Sequence, residues 1–247
     1  MFVIFLFLYA PIVLLMVFSF NDSKSTSQFT GFSLRWYQEL FSDSQIMDAL
    51  GNTLLVAVLS SLAAAAIGTL AAIGIHRYRG WKRSAMTNVS NLPMLNPDIL
   101  TGISLMLLFI MLKFPLGLMT MLIAHITFNI PYVILSVLPH LRQMNPNTYE
   151  AALDLGASPA QAFFRVMIPE LLPGIVSGTL LAFTMSIDDF IISFFVTGAT
   201  TTTLPLKVYS SVKTGVSPQV NALCTLTLFV VAVLVALSKS ITRRNHT

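Results

Sequence analysis

Long apolar runs separated by short polar stretches divide this chain into six segments, each long enough to cross a hydrocarbon core, which takes about 20 helical residues. They lie at Phe2–Phe20, Leu50–Ile75, Ala85–Leu112, Leu118–Leu138, Leu171–Val196 and Val220–Leu237. The third is interrupted by Asn88, Asn91, Pro93, Asn96, Pro97 and Asp98, so its first half is not expected to form a clean helix. Between the fourth and fifth runs, over residues 140–170, the chain turns polar. There Asn145 is placed to cap a short helix with Pro146 at its opening position, and Gly156 to close it. Ser158 and Pro159 then start a second short helix, which Pro169 ends. The pattern predicts an all-α membrane protein, one transmembrane domain over residues 1–247, with a helical segment outside the lipid between spans four and five.

Composition agrees. The 247 residues are 55% hydrophobic and only 10% charged, against roughly 25% charged in a soluble domain, and the mean hydropathy is +0.79. Six spans put both termini on one side, and Lys and Arg choose that side as cytoplasmic. Arg77, Arg79, Lys82 and Arg83 follow span two, Arg142 and Arg165 follow span four, and Lys239, Arg243 and Arg244 lie in the tail. The opposite side holds Lys24, Arg35, Lys113, Lys207 and Lys213. The net charge of +4 therefore reports orientation, and nucleic-acid binding is not needed to explain it. Met1–Phe20 lacks a basic leading region and no small-x-small site follows, so it is read as a retained first span. The single Cys224 sits in an apolar run and is assigned to packing.

Outside the membrane the chain carries only loops. Asn21–Ala49 places Leu34, Tyr37 and Phe41 at helical spacing, which favours an amphipathic helix on the membrane surface with Trp36 and Tyr37 in the headgroup zone. An interfacial anchor and a docking surface for an extracytoplasmic partner are both open readings. Thr197–Gln219 is longer than a tight connection requires and is a candidate docking or lid element. No internal repeat and no phosphate-cradling Gly-x-x-x-x-Gly-Lys-Ser/Thr loop is present, so any nucleotide hydrolysis belongs to another chain. His76, His125, His140 and His246 form no metal-like cluster, and no nucleophile–base pair appears, so the chain is not read as an enzyme. His125, alone in span four, is expected to make a helix–helix hydrogen bond.

Three carboxylates fall inside spans: Asp98, Asp188 and Asp189. Each would cost about 2.5–3.5 kcal/mol at a bilayer centre, so such residues face a bundle interior or an aqueous path. Asp98 follows Asn96-Pro97 and either caps the helix Ile99–Leu112 or lines the path, and one residue can do both. Asp188 and Asp189 on a continuous helix would diverge by about 100°, so one is expected to face the path and the other a polar neighbour or the outer interface. Phe183, Phe190, Phe194 and Phe195 surround them. Acid beside aromatic faces suits an organic cation, through ion pairing and cation–π attraction. The ordinary alternative is that these rings touch lipid or neighbouring helices.

The polar segment holds Glu150-Ala151-Ala152-Leu153-Asp154-Leu155-Gly156, nine residues, then Val166-Met167-Ile168-Pro169. This resembles the Glu-Ala-Ala loop of the membrane subunits of bacterial ABC importers, with Val166 and Ile168 standing where that family has Ile and Leu. An ordinary solvated loop is the alternative. Further stretches extend the resemblance over nearly the whole chain, toward the PotC-type permease subunits of spermidine/putrescine importers. They are His76–Gly80, Asn96–Ile99, His125–Phe128, Ser186–Asp189, Ser193–Gly198, Leu204–Ser210 and Gly215–Pro218.

That resemblance implies the six-helix type I importer permease fold in a bacterial inner membrane. It implies Glu150, Ala151, Ala152, Asp154, Gly156 and Pro169 as the contact with a cytoplasmic ATPase; Asp98, Asp188, Asp189, Phe190 and Phe194 are candidates for the substrate path on the chemistry of acids and rings given above. The implied partners are a second homologous permease, two ATPase copies that bind ATP and Mg, and an extracytoplasmic polyamine-binding protein, with no cofactor in this chain. Another small solute on the same machinery (a cationic amine, an opine or ferric ion) and an autonomous channel or proton-coupled carrier are the competing readings.

Overall fold

The computed structural model describes residues 2–23, 28–199, 201–214 and 218–230. The last part of the predicted sixth span, the basic tail from Lys239 with His246, and Lys24 lie outside the described residues. The described chain is helical. In order it forms α1 (Phe2–Phe18), α2 (Arg35–Ser42), α3 (Ser44–Arg77), α4 (Trp81–Leu95), α5 (Asp98–Met111), α6 (Leu118–Gln143), α7 (Pro146–Asp154), α8 (Pro159–Ala162), α9 (Ile168–Ile187), α10 (Ile191–Val196) and α11 (Leu204–Thr214). A final helix, α12, covers Pro218–Val230.

Three helical stretches are long and apolar enough to cross a membrane among the described residues: α3, α6 and the continuous Pro159–Ile187. The pair α4 and α5, bent by 96°, can count as a fourth, and α1 and α12 are shorter apolar helices. The third predicted run is thus corrected. Its first half is helical through Asn88, Asn91 and Pro93, and the break falls at Asn96-Pro97. A residue before proline is pushed out of the helical region, and Asn96 is extended, with φ −75° and ψ 137°.

Pro169 also departs from expectation. It does not end the second short helix, because the chain passes from α8 through a five-residue π-type turn, Phe163–Met167, directly into α9. A π turn widens the backbone where a proline ring needs room and has no N–H to give. The fifth run is not continuous either: α9 ends at Ile187, and α10 starts at Ile191 after three intervening residues.

The chain divides into two compact units. Among the described residues, one comprises those up to Thr53 together with those from Thr201 onward, the other Leu54–Ala199. In the first, Trp36, Leu40, Ile46, Leu204, Ala222 and Leu223 form a core. The predicted surface helix exists as α2, but it buries Trp36 and Leu40 while Leu34 and Phe41 stay exposed. Trp36 is 3% exposed and donates its indole N–H to the Asn21 carbonyl, so its ring packs inside the protein. Buried Asn21 organises this loop, accepting from Thr30 N at 2.8 Å and donating to Gln28 O at 2.8 Å. The last outer loop contains α11, whose first N–H, from Leu204, donates to Thr53 Oγ1 at 2.8 Å.

In the second unit, α6 lies along α9, and α10 packs against α5 and α6. Close approach depends on absent side chains. A Cβ at Gly178 would stand 3.1 Å from Val133 Cα, one at Gly174 would stand 2.7 Å from His140 Nδ1, and one at Gly68 of α3 would stand 2.8 Å from Val133 Cβ. Gly174 and Gly178 form a small-xxx-small pair, the arrangement that lets membrane helices touch backbone to backbone. Two cores flank this seam: Ala64, Ala72, Val133, Val137, Leu141 and Leu171 form part of one, and Val56, Phe109, Met121, Phe128, Ile192 and Val196 part of the other.

Candidate functional site

The candidate path and coupling residues lie in the second unit, around two places. The first is the break between α9 and α10. Asp188 is the residue after α9, with φ −98° and ψ 3°, and Asp189 lies between the helices. The pair therefore does not sit on a continuous helix, and the 100° argument does not apply. Asp189 turns inward, and its carboxylate accepts from Ile192 N at 3.2 Å and Ser193 N at 2.8 Å. Negative charge at the first turn of a helix satisfies donors that have no partner within it. The same carboxylate lies 3.4 Å from His125 Nε2, with the two side chains 7% and 1% exposed. Asp188 is exposed and makes no hydrogen bond or ion pair with another described residue.

His125, on α6, makes the helix–helix contacts expected of it. Nδ1 is 2.6 Å from Ser186 Oγ of α9 and Nε2 is 3.0 Å from Ser193 Oγ of α10. Ser186 is 3.3 Å from Ser60 Oγ of α3, and Asn129 Nδ2 donates to Ser60 Oγ at 3.2 Å. A buried polar layer thus joins α3, α6, α9 and α10. The sequence reading missed Ser60, Asn129, Ser186 and Ser193 as members. One signal was available: His125 and Asn129 are four apart, on one face of a mostly apolar helix.

Phe190 and Phe194 have ring centroids 5.6 Å apart, and Phe194 meets Phe195 edge-on at 5.4 Å. Phe194 is 52% exposed, while Phe195 is pressed against Gly102 of α5. Asp98 opens α5 behind Pro97 with no side-chain capping bond; it is exposed, and within electrostatic reach of Tyr132. Neither Asp98 nor Asp188 is hydrogen-bonded to the other. No group of three or more His, Cys, Asp or Glu side chains suited to a metal ion occurs among the described residues.

The second place is the α7–α8 segment. Asn145 caps α7 by accepting from Asn147 N at 3.0 Å. Gly156 closes it at φ +87°, a left-handed conformation that side chains resist, with Gly156 N donating to Leu153 O at 2.9 Å and Ala157 N to Ala152 O at 3.1 Å. Ser158 and Gln161 form a reciprocal capping box at α8. Glu150, Ala151, Asp154 and Gly156 are exposed, Ala152 is half-buried, and Leu155 is left 90% exposed at the tip. Pro169 is exposed in the first turn of α9.

A broken, apolar helical bundle with a buried polar layer and an exposed helical elbow is the build of a solute-transport permease. The comparisons identify the family. The profile of the binding-protein-dependent transport system inner membrane component matches residues 64–245, and the chain belongs to that family. It is 42% identical over 236 residues to the putrescine transport system permease protein PotI of Escherichia coli strain K12, covering 93% of this chain and 84% of the relative. It is 39% identical over 246 residues to the spermidine/putrescine transport system permease protein PotC of Haemophilus influenzae, covering 100% and 96%. In fold it is similar to a chain of a bacterial ABC transporter that imports the acidic polysaccharide alginate, with a TM-score of 0.75, 20% identity, and 98% and 92% of the two chains covered. A chain of the MetNI methionine ABC transporter matches with a TM-score of 0.65 and 19% identity, covering 82% and 98%. The chain is thus a multi-pass inner-membrane permease of the ABC importer type.

Proposed function

We propose that this chain is one of two permease subunits of an ATP-driven polyamine importer, carrying putrescine or spermidine handed over by an extracytoplasmic binding protein. The observation that carries the reading is the pairing of whole-length similarity to putrescine and spermidine/putrescine permeases with an exposed acid at a helix break among aromatic rings. A polyamine is a string of ammonium groups on methylene spacers. Carboxylates meet the charges, and rings such as Phe190 and Phe194 cover the methylenes and attract the cations. Asp98 and Asp188 are the free acids of the path, and Asp189 holds the break in shape.

In this reading the chain crosses the membrane six times with both termini in the cytoplasm. The segment from Glu150 to Gly156, with Pro169 behind it, docks into a groove of the ATPase dimer, which alone binds ATP and Mg. ATP binding closes that dimer and moves α7 and α8, and the bundle opens outward to receive cargo; hydrolysis resets it. Uptake of labelled putrescine and spermidine is the test, in cells supplying the second permease, the ATPase and the binding protein. Saturable uptake that Glu150→Arg abolishes, with the variant still in the membrane, supports the reading. Uptake of neither amine by the intact assembly refutes the cargo, and full uptake by Glu150→Arg refutes the docking.

A further inference from the structure

The buried polar layer has a direction. At its Asp189 end that direction is fixed, because a carboxylate can only accept; at the other end Asn129 Nδ2 donates to Ser60. Ser60 accepts from Asn129 at 3.2 Å, donates to the Ala57 carbonyl at 3.4 Å, and stands 3.3 Å from Ser186 Oγ. His125 Nδ1 lies 2.6 Å from the Ser186 hydroxyl, and the ring offers a proton on Nε2 toward the carboxylate, which can only accept. There it faces Ser193 Oγ at 3.0 Å and Asp189 Oδ2 at 3.4 Å. The opposite tautomer would set a lone pair against the carboxylate. The ring thus stands across the gap between α9 and α10, bonded to Ser186 one residue before the end of the first helix and to Ser193 in the second.

We infer that His125 is a positioning residue for Asp188: it fixes the break between α9 and α10 and so the direction in which the exposed carboxylate is offered to a cationic cargo. This rests on the polyamine reading above. His125 does not touch the cargo. With Ile192 N, Ser193 N and His125 all directed at Asp189, that carboxylate is engaged in the interior and only its neighbour is presented outward. The contacts around Asp189 and the imidazole hold one geometry, because slippage there leaves a polar group unpaired in low dielectric.

The experiment is uptake of labelled putrescine by the complete assembly carrying His125→Ala, His125→Gln, Asp188→Asn or the double variant His125→Ala/Asp188→Asn. His125→Ala is expected to raise the half-saturating putrescine concentration roughly tenfold, within the range of coupling between residues of one network. Maximal rate and the amount of assembled complex stay within about twofold of wild type. His125→Gln, which can still donate toward Ser193 and Asp189, restores most of the loss. The double variant is no worse than Asp188→Asn, because the histidine acts through that carboxylate. Lowered maximal rate with unchanged half-saturation would instead mark a packing residue and overturn the proposal, as would full additivity in the double variant. If His125→Ala does not assemble, Ser193→Ala removes one of the ring's partners at nearly constant volume; a raised half-saturation is then expected, and an unchanged one overturns the proposal. A wild-type complex that carries neither amine overturns the cargo reading and this inference with it, whereas an unaffected His125 variant beside an active wild type overturns the inference alone.

Discussion

Neutralising Asp188 removes an exposed charge and little else, whereas truncating Asp189 strips α10 of the acceptor for two of its first N–H groups. Asp188→Asn is therefore expected to leave the thermal midpoint of the purified complex nearly unchanged, as surface substitutions do within about 0.5 kcal/mol, while polyamine uptake falls. Asp189→Ala is expected to destabilise by about 1 kcal/mol or more, the usual cost of a lost helix cap, and to lower uptake as a consequence. Thermal scans beside uptake assays separate the two, and equal midpoints for both variants would contradict this division. Gly156 offers a second test. At φ +87° a β-branched side chain is strained by about 1–2 kcal/mol, so Gly156→Val should distort the turn after α7. ATPase stimulation by the loaded binding protein should drop while the amount of permease in the membrane does not.

Between helices, the glycines of α3 and α9 govern how close α6 can come. Gly68→Ala and Gly178→Ala each place a methyl 2.8–3.1 Å from Val133, and crowding of this kind costs about 1–3 kcal/mol. Gly74→Ala in α3 meets nothing within 4 Å and should be neutral or slightly stabilising, since alanine is the better helix former by up to about 1 kcal/mol. Thermal midpoints of the three variants check the contrast. Elements were legible in the sequence where the signal was local: the hydrophobic runs, the Asn145 cap, the Gly156 stop and the Ser158 start depend on neighbours in the chain. Where a distant partner decides, the reading failed. Trp36 looked interfacial because its acceptor, the Asn21 carbonyl, is 15 residues away. Asp188 and Asp189 looked helical because an apolar run does not reveal that His125, Ser186 and Ser193 hold the chain in a break. Pro169 looked terminal because a wide turn, which costs one residue of register, has no composition of its own.

For the whole molecule the reading requires a motor elsewhere. The purified chain is expected to hydrolyse no ATP above background, and the assembly with the ATPase to do so, with stimulation by loaded binding protein lost in Glu150→Arg. A phosphate-release assay on each sample decides. Activity in the chain alone would remove the need for a separate ATPase. The uninterrupted passage from Pro159 to Ile187 has a consequence for such a machine. Twenty-nine helical residues make a strut about 40 Å long, with one end at the capped elbow and the other against the carboxylate pair. A swing of about 5° at the first end would carry the second through roughly 4 Å at that length, about three quarters of a helical turn. A proline stop at Pro169 would have cut this lever in two, and the widened turn keeps it whole.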